Sequence, residues 1–138
     1  MSPKPRQLLF ALCLSALACT SDARRREQAR IARLVEHVDR LRGADNADKR
    51  PLLAALIQAE CEGGEACALK DLCVRAYQLH QSALDTIAEL RRQASHDGGS
   101  SRDTKQQLEK TESDLLEAKE LSQRCAEEQV RAVRKTLM

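Results

Sequence analysis

The residues best equipped for chemistry are six cysteines, and four of them lie beyond residue 60: Cys61, Cys67 and Cys73 at equal intervals, then Cys125. Thiols in such a row can bind a metal, cycle electrons or form crosslinks. Structural zinc sites bring paired cysteines two to four residues apart, and here the gaps are wider. A Cys73, His80, Cys125 set is the nearest approach to a metal site, and it ranks last. No C-x-x-C or C-x-x-C-H occurs, which removes thiol redox and covalent haem motifs.

Crosslinks fit better. Residues six apart in a helix are separated by about 240° and roughly 9 Å of rise. A disulfide needs Cα atoms within about 7 Å. Cys67 and Cys73 therefore cannot bond while one helix carries both. Reversal of the chain at Gly98-Gly99 sets Cys73 opposite Cys125, and reversal at Gly63-Gly64 sets Cys61 opposite Cys67. Cys61–Cys67 with Cys73–Cys125 satisfies all four. A looser corner gives Cys61–Cys73 with Cys67–Cys125.

Catalysis has little to build on. His37, His80 and His96 lie on separate segments, and G-x-S-x-G, H-E-x-x-H and phosphate-binding glycine loops are absent from the sequence. The chain reads as a non-enzyme with no cofactor. Carboxylate pairs such as Glu109 and Glu112 suit a solvated face.

The elements that hold these cysteines are helical. The chain has one Phe, one Tyr and no Trp, and only five Gly and three Pro. A core of Leu, Ala, Val and Ile on thin stripes suits helix-on-helix packing, because sheets draw on β-branched and aromatic residues. The spacing predicts helices over about 23–42, 48–62, 65–95 and 102–136. Ile31, Leu34, Val35, Val38 and Leu41 form the first stripe, and Leu52, Leu53, Leu56 and Ile57 the second. The third carries Leu69, Leu72, Ala76, Leu79, Ala83, Ile87 and Leu90. The fourth carries Leu108, Thr111, Leu115, Ala118, Leu121, Cys125, Ala132 and Val133. "ADNAD", before Lys49, lacks the closing Glu of a calcium loop and reads as a turn with an N-cap at Asn46 or Asp48. The expected fold is all-α: a long antiparallel hairpin with two shorter helices, a small disulfide-stapled bundle.

The start of the chain sets the compartment. Lys4 and Arg6 precede an apolar run from Leu8 to Ala18, too short to span a bilayer and suited to a signal-peptide core. Ala16-Leu17-Ala18 offers the small residues of a cleavage site, and Cys19 follows. "LSALAC" resembles the lipobox of bacterial lipoproteins, though Ala16 stands where that pattern favours Leu. The resemblance implies a signal peptide over 1–18, cleavage before Cys19 and attachment of lipid, palmitate included, to Cys19. A single helical domain would then occupy 19–138. Thr20, rather than Asp, after the cysteine resembles the sorting signal for the outer membrane, facing the periplasm. Parity agrees: with Cys19 lipidated, four thiols remain, an even set suited to an oxidising compartment. The alternative is a secreted or soluble periplasmic protein, and Arg24-Arg25-Arg26 close to the cut weighs against export.

Removal of the leader takes Lys4 and Arg6, leaving 21 basic against 21 acidic residues. With no charge excess and no stacking aromatics, nucleic acid is not an expected partner. The Arg-rich first helix has three readings. Arg24, Arg25 and Arg26 can lie against anionic headgroups near the Cys19 anchor, the helix can pair with Glu112 to Glu120, or it can be solvated. The sequence thus points to a lipid-anchored interaction or scaffold module with a protein partner it does not name. A periplasmic chaperone or inhibitor is the alternative, with metal binding behind both.

Overall fold

The computed structural model describes the backbone of residues 5–97 and 102–138 and the side chains of residues 21–95 and 102–138. It contains four helices, α1 (Pro5–Gly43), α2 (Lys49–Gln58), α3 (Gly64–Asp97) and α4 (Arg102–Leu137), and no strand among the described residues. Their composition explains them. Between Pro5 and Gly43 there is no Gly or Pro, and Ala, Leu, Arg and Glu are strong helix formers. Basic residues close the last turns of α1 (Arg40, Arg42) and α4 (Arg134, Lys135), and Asp103 opens α4, each complementing the helix dipole.

Two boundaries differ from the sequence expectation. The first helix begins at Pro5 rather than near 23, because nothing breaks the chain between the leader and the Arg-rich segment. The second ends at Gln58 rather than near 62. Ala59 leaves the helix at φ −58°, ψ 130°, and Lys70 Nζ donates to its carbonyl at 2.7 Å. Cys61 therefore sits in a non-helical corner from which the chain can reverse towards Cys67. Gly63 (φ 82°) and Gly64 (φ 73°) make that reversal in the left-handed region, where a side chain would strain the backbone. Asp48 occupies the N-cap position of α2, but its side chain makes no capping bond, and its N–H instead donates to Asp45 O at 2.9 Å.

The helices alternate in direction. Cys73–Cys125 and the Arg75–Glu117 pair (2.9 Å) set α3 against an antiparallel α4. Arg50–Asp85 and Lys70–Ala59 do the same for α2 and α3. Gln28 donates to Thr136 O at 3.0 Å, and Arg42 bonds Gln129, so α1 and α4 are also antiparallel. The result is an up-down-up-down bundle. Its core joins Ile31, Leu34, Val38 and Leu41 of α1 to Leu53 and Leu56 of α2, Ala66, Leu69, Cys73 and Tyr77 of α3, and Cys125 and Ala132 of α4. Above the level of Arg50–Asp85 the α3–α4 pair continues alone. There the seam narrows to Leu90 and Thr111, and Leu108 is 45% exposed.

Both disulfides follow the corner geometry: Cys61–Cys67 with a Cα separation of 5.3 Å, and Cys73–Cys125 with 5.1 Å. Cys73 and Cys125 are fully buried. They close loops of very different length, six residues against 52. In the chain-entropy model the shorter link contributes about 2 kcal/mol and the longer about 4 kcal/mol. Cys73→Ala with Cys125→Ala should therefore lower unfolding free energy about twice as much as Cys61→Ala with Cys67→Ala. Urea denaturation of the two double variants checks this, and equal losses would contradict it.

Candidate functional site

The α1–α4 interface is not fully closed, and a groove of about 320 Å³ runs along it. Val35 of α1 and Ala126, Val130 and Val133 of α4 supply apolar walls, and Asp39, Arg42, Gln129 and Arg134 supply polar edges. Val130 and Val133 are 51% and 37% exposed. Val133 was expected on the buried α4 seam. The structure turns it onto the groove, because the seam runs 118, 121, 125, 129, 132 and places Gln129 inside instead.

Gln129 fixes the groove. Its side-chain oxygen accepts from Arg42, and its amide donates to Asp39 Oδ1 (3.2 Å) and towards Val35 O (3.5 Å). Asp39 also pairs with Arg42 at 3.1 Å. A buried amide with both ends bonded holds α1 and α4 in one register, since any slip leaves it unsatisfied. Sequence reading passed over Gln129 because it is polar; its position four residues after Cys125 was the available signal.

Tyr77 packs in the core beside this network. Burial raises the pKa of its hydroxyl above the ordinary tyrosine value, and the Arg42 charge and hydrogen bond partly offset that shift. Burial and the Lys49 charge push His80 below the usual histidine value.

A second groove, about 340 Å³, lies between α1 and the α2–α3 corner and is lined by Arg30, Arg33, Leu34, His37, Ala59 and Glu60. Its cations are partly committed, as Arg30 pairs with Glu62 and Glu27. One of the three readings of the Arg-rich helix, pairing with Glu112 to Glu120, does not form among the described residues. Arg30, Arg40 and Arg42 bond Glu27, Glu62, Glu36, Asp39 and Gln129, while Glu117 pairs with Arg75 of α3. The reason is register: α1 runs beside the last third of α4, below Glu112 to Glu120.

Cys73 and Cys125 are spent on each other, so the Cys73, His80, Cys125 metal set is overturned. No cluster of three His, Cys, Asp or Glu that could hold a metal occurs among the described residues. Arg24, Arg25 and Arg26 are exposed, with no ion-pair partner among the described residues. The side chains of Cys19, of the leader 1–18 and of His96 lie outside the described residues. No helix among the described residues is long and apolar enough to cross a membrane. The chain matches no protein-family model, no curated protein and no solved structure.

The raised tyrosine gives a pH signature. A group whose folded pKa exceeds its unfolded value contributes stability that is fully present below the unfolded pKa, about 10, and is lost as pH rises through the folded value. Stability should therefore decline above about pH 10, and Tyr77→Phe should flatten part of that decline. Urea midpoints at pH 8, 10 and 11 check it; identical slopes for both proteins would refute it.

Proposed function

We propose that the protein is a lipid-anchored helical module of the bacterial cell envelope that holds a protein partner along its exposed helical surface. Cysteine accounting carries this reading. The disulfides join Cys61 to Cys67 and Cys73 to Cys125, and Cys13 lies in the leader. Cys19 is then the one cysteine of the mature chain outside these two pairs, and it stands where "LSALAC" resembles a lipobox. Disulfides persist in oxidising compartments, which supports export. Lipid on Cys19 would satisfy both the parity and the motif. Thr20 supports the outer membrane, with the bundle facing the periplasm.

The α1–α4 groove favours a second reading, a periplasmic chaperone or inhibitor. Its Val35, Val130 and Val133 walls offer an apolar track for a client segment, and Asp39, Arg42 and Arg134 offer polar contacts at its rim. Anchoring and client binding are compatible.

Expression in a Gram-negative host with a clickable palmitate analogue tests the anchor. The parent protein should label and fractionate with the outer membrane. Cys19→Ser should abolish labelling and release the protein or leave its leader uncleaved. Unchanged labelling and fractionation of Cys19→Ser would refute the lipoprotein reading.

A further inference from the structure

The packing brings together residues that are far apart in sequence at one end of the bundle. Gln28 donates to Thr136 O, so the last turn of α4 lies beside the turn of α1 that follows Arg24-Arg25-Arg26. Leu137 there is 81% exposed and continues the apolar Val130–Val133 side of α4. Arg134 is exposed in the same turn, with no ion-pair partner among the described residues.

The carboxylates near this end are largely occupied. Glu27 Oε1 accepts the Ala66 N–H at 2.9 Å, Glu65 pairs with Lys135 and Glu62 pairs with Arg30. Asp22, Glu60 and the carboxylate that ends the chain at Met138 remain, and Glu60 sits away from the end, in the groove with Arg33 and His37. The end therefore presents an excess of unpaired guanidinium groups around an exposed leucine.

Arg24, Arg25 and Arg26 are consecutive. In a helix they point about 100° apart and form a collar around α1 rather than a stripe along it. A membrane lying along the side of α1 would meet one or two of them. A headgroup layer that α1 enters end-on would meet all three.

We infer that this end of the bundle is a docking face for an anionic phospholipid surface, on which the protein stands end-on. The collar sits among the headgroups, Arg134 adds a fourth cation from α4, and Leu137 enters the interface beside them. The inference extends the lipid-anchor reading without needing the lipid itself. The residues from Cys19 to Arg26 span about 10 Å at helical rise, so an anchor at Cys19 would bring the collar to headgroup depth. The α3–α4 hairpin, with helices of 34 and 36 residues, then projects about 50 Å from the bilayer.

The test uses the mature chain, residues 19–138, carrying Cys19→Ser. Every buried side chain among the described residues and both disulfides lie at or beyond Ile31, so this chain keeps the packed bundle. It should bind phosphatidylcholine vesicles that contain phosphatidylglycerol, ignore pure phosphatidylcholine, and release as salt rises. Replacing Arg24, Arg25 and Arg26 by Gln should weaken binding roughly a hundredfold, at about fivefold per arginine, with helical circular dichroism unchanged. The chain has no Trp, so an introduced indole is a unique reporter. Leu137→Trp emission should shift to the blue on vesicle binding, and Leu108→Trp emission, at the far end, should not. Absent binding at low salt, retained affinity in the Gln variant, or equal shifts at both indoles would overturn the inference. Palmitate labelling at Cys19 in cells is scored separately, so loss of vesicle binding with labelling intact would sink the docking face and spare the anchor.

Discussion

The Cys73–Cys125 crosslink is the constraint on which the bundle's long axis depends. Much of the α3–α4 seam is small side chains, with Ala76, Ala83, Thr111 and Ala118 buried along it beside Leu90 and Leu121. Each buried CH₂ contributes only about 0.8 kcal/mol, so the stretches of small side chains discriminate poorly between neighbouring registers. A covalent bond between fully buried sulfurs removes that ambiguity. It lies where α1 and α2 also pack, and Cys73 and Cys125 belong to the same cluster as Leu34, Val38, Leu41 and Leu56. The larger aliphatic residues gather around the crosslink, and the pair of helices beyond them relies on a thinner seam.

The opposite corner works by backbone conformation and charge. Gly63 and Gly64 reverse the chain, Cys61–Cys67 closes the turn, and Glu27 reaches from α1 to accept the Ala66 N–H at the start of α3. That carboxylate occupies one of the donors a helix start leaves unsatisfied. It also lies close to Gly64, where an added Cβ would stand 3.0 Å from Glu27 Oε1. One side chain thus ties the entry of α3 to α1. Gln129, with Asp39 and Arg42, ties α1 to α4. Between these two fastenings α1 keeps its aliphatic stripe inward and leaves the Val35–Val133 side open as a groove.

A division of labour follows from this placement. One end of the bundle gathers unpaired cations and an exposed leucine beside the segment that leads to Cys19. The groove opens on the flank just above that end, with Arg134 at its rim, and the hairpin tip is at the far end.

The amino-acid sequence by itself determined the all-helical class, the hairpin and the apolar stripes. These are local properties: helix formers in unbroken runs, glycines at the reversals and apolar residues at helical spacing. It also limited the crosslinks, because a helix holds Cys67 and Cys73 too far apart to bond. The tertiary structure alone decided what depends on the register between helices distant in sequence. It selected Cys61–Cys67 over the looser alternative, since α2 ends at Gln58 and frees Cys61 to turn. It set α1 beside the last third of α4, so its arginines miss Glu112 to Glu120. It buried Gln129, exposed Val133, and brought the last turn of α4 beside the α1 turn that follows Arg24 to Arg26. Periodicity names the face of a helix but not its neighbour, because the partner is chosen by the sum of side-chain shapes, hydrogen bonds and crosslinks across the whole bundle.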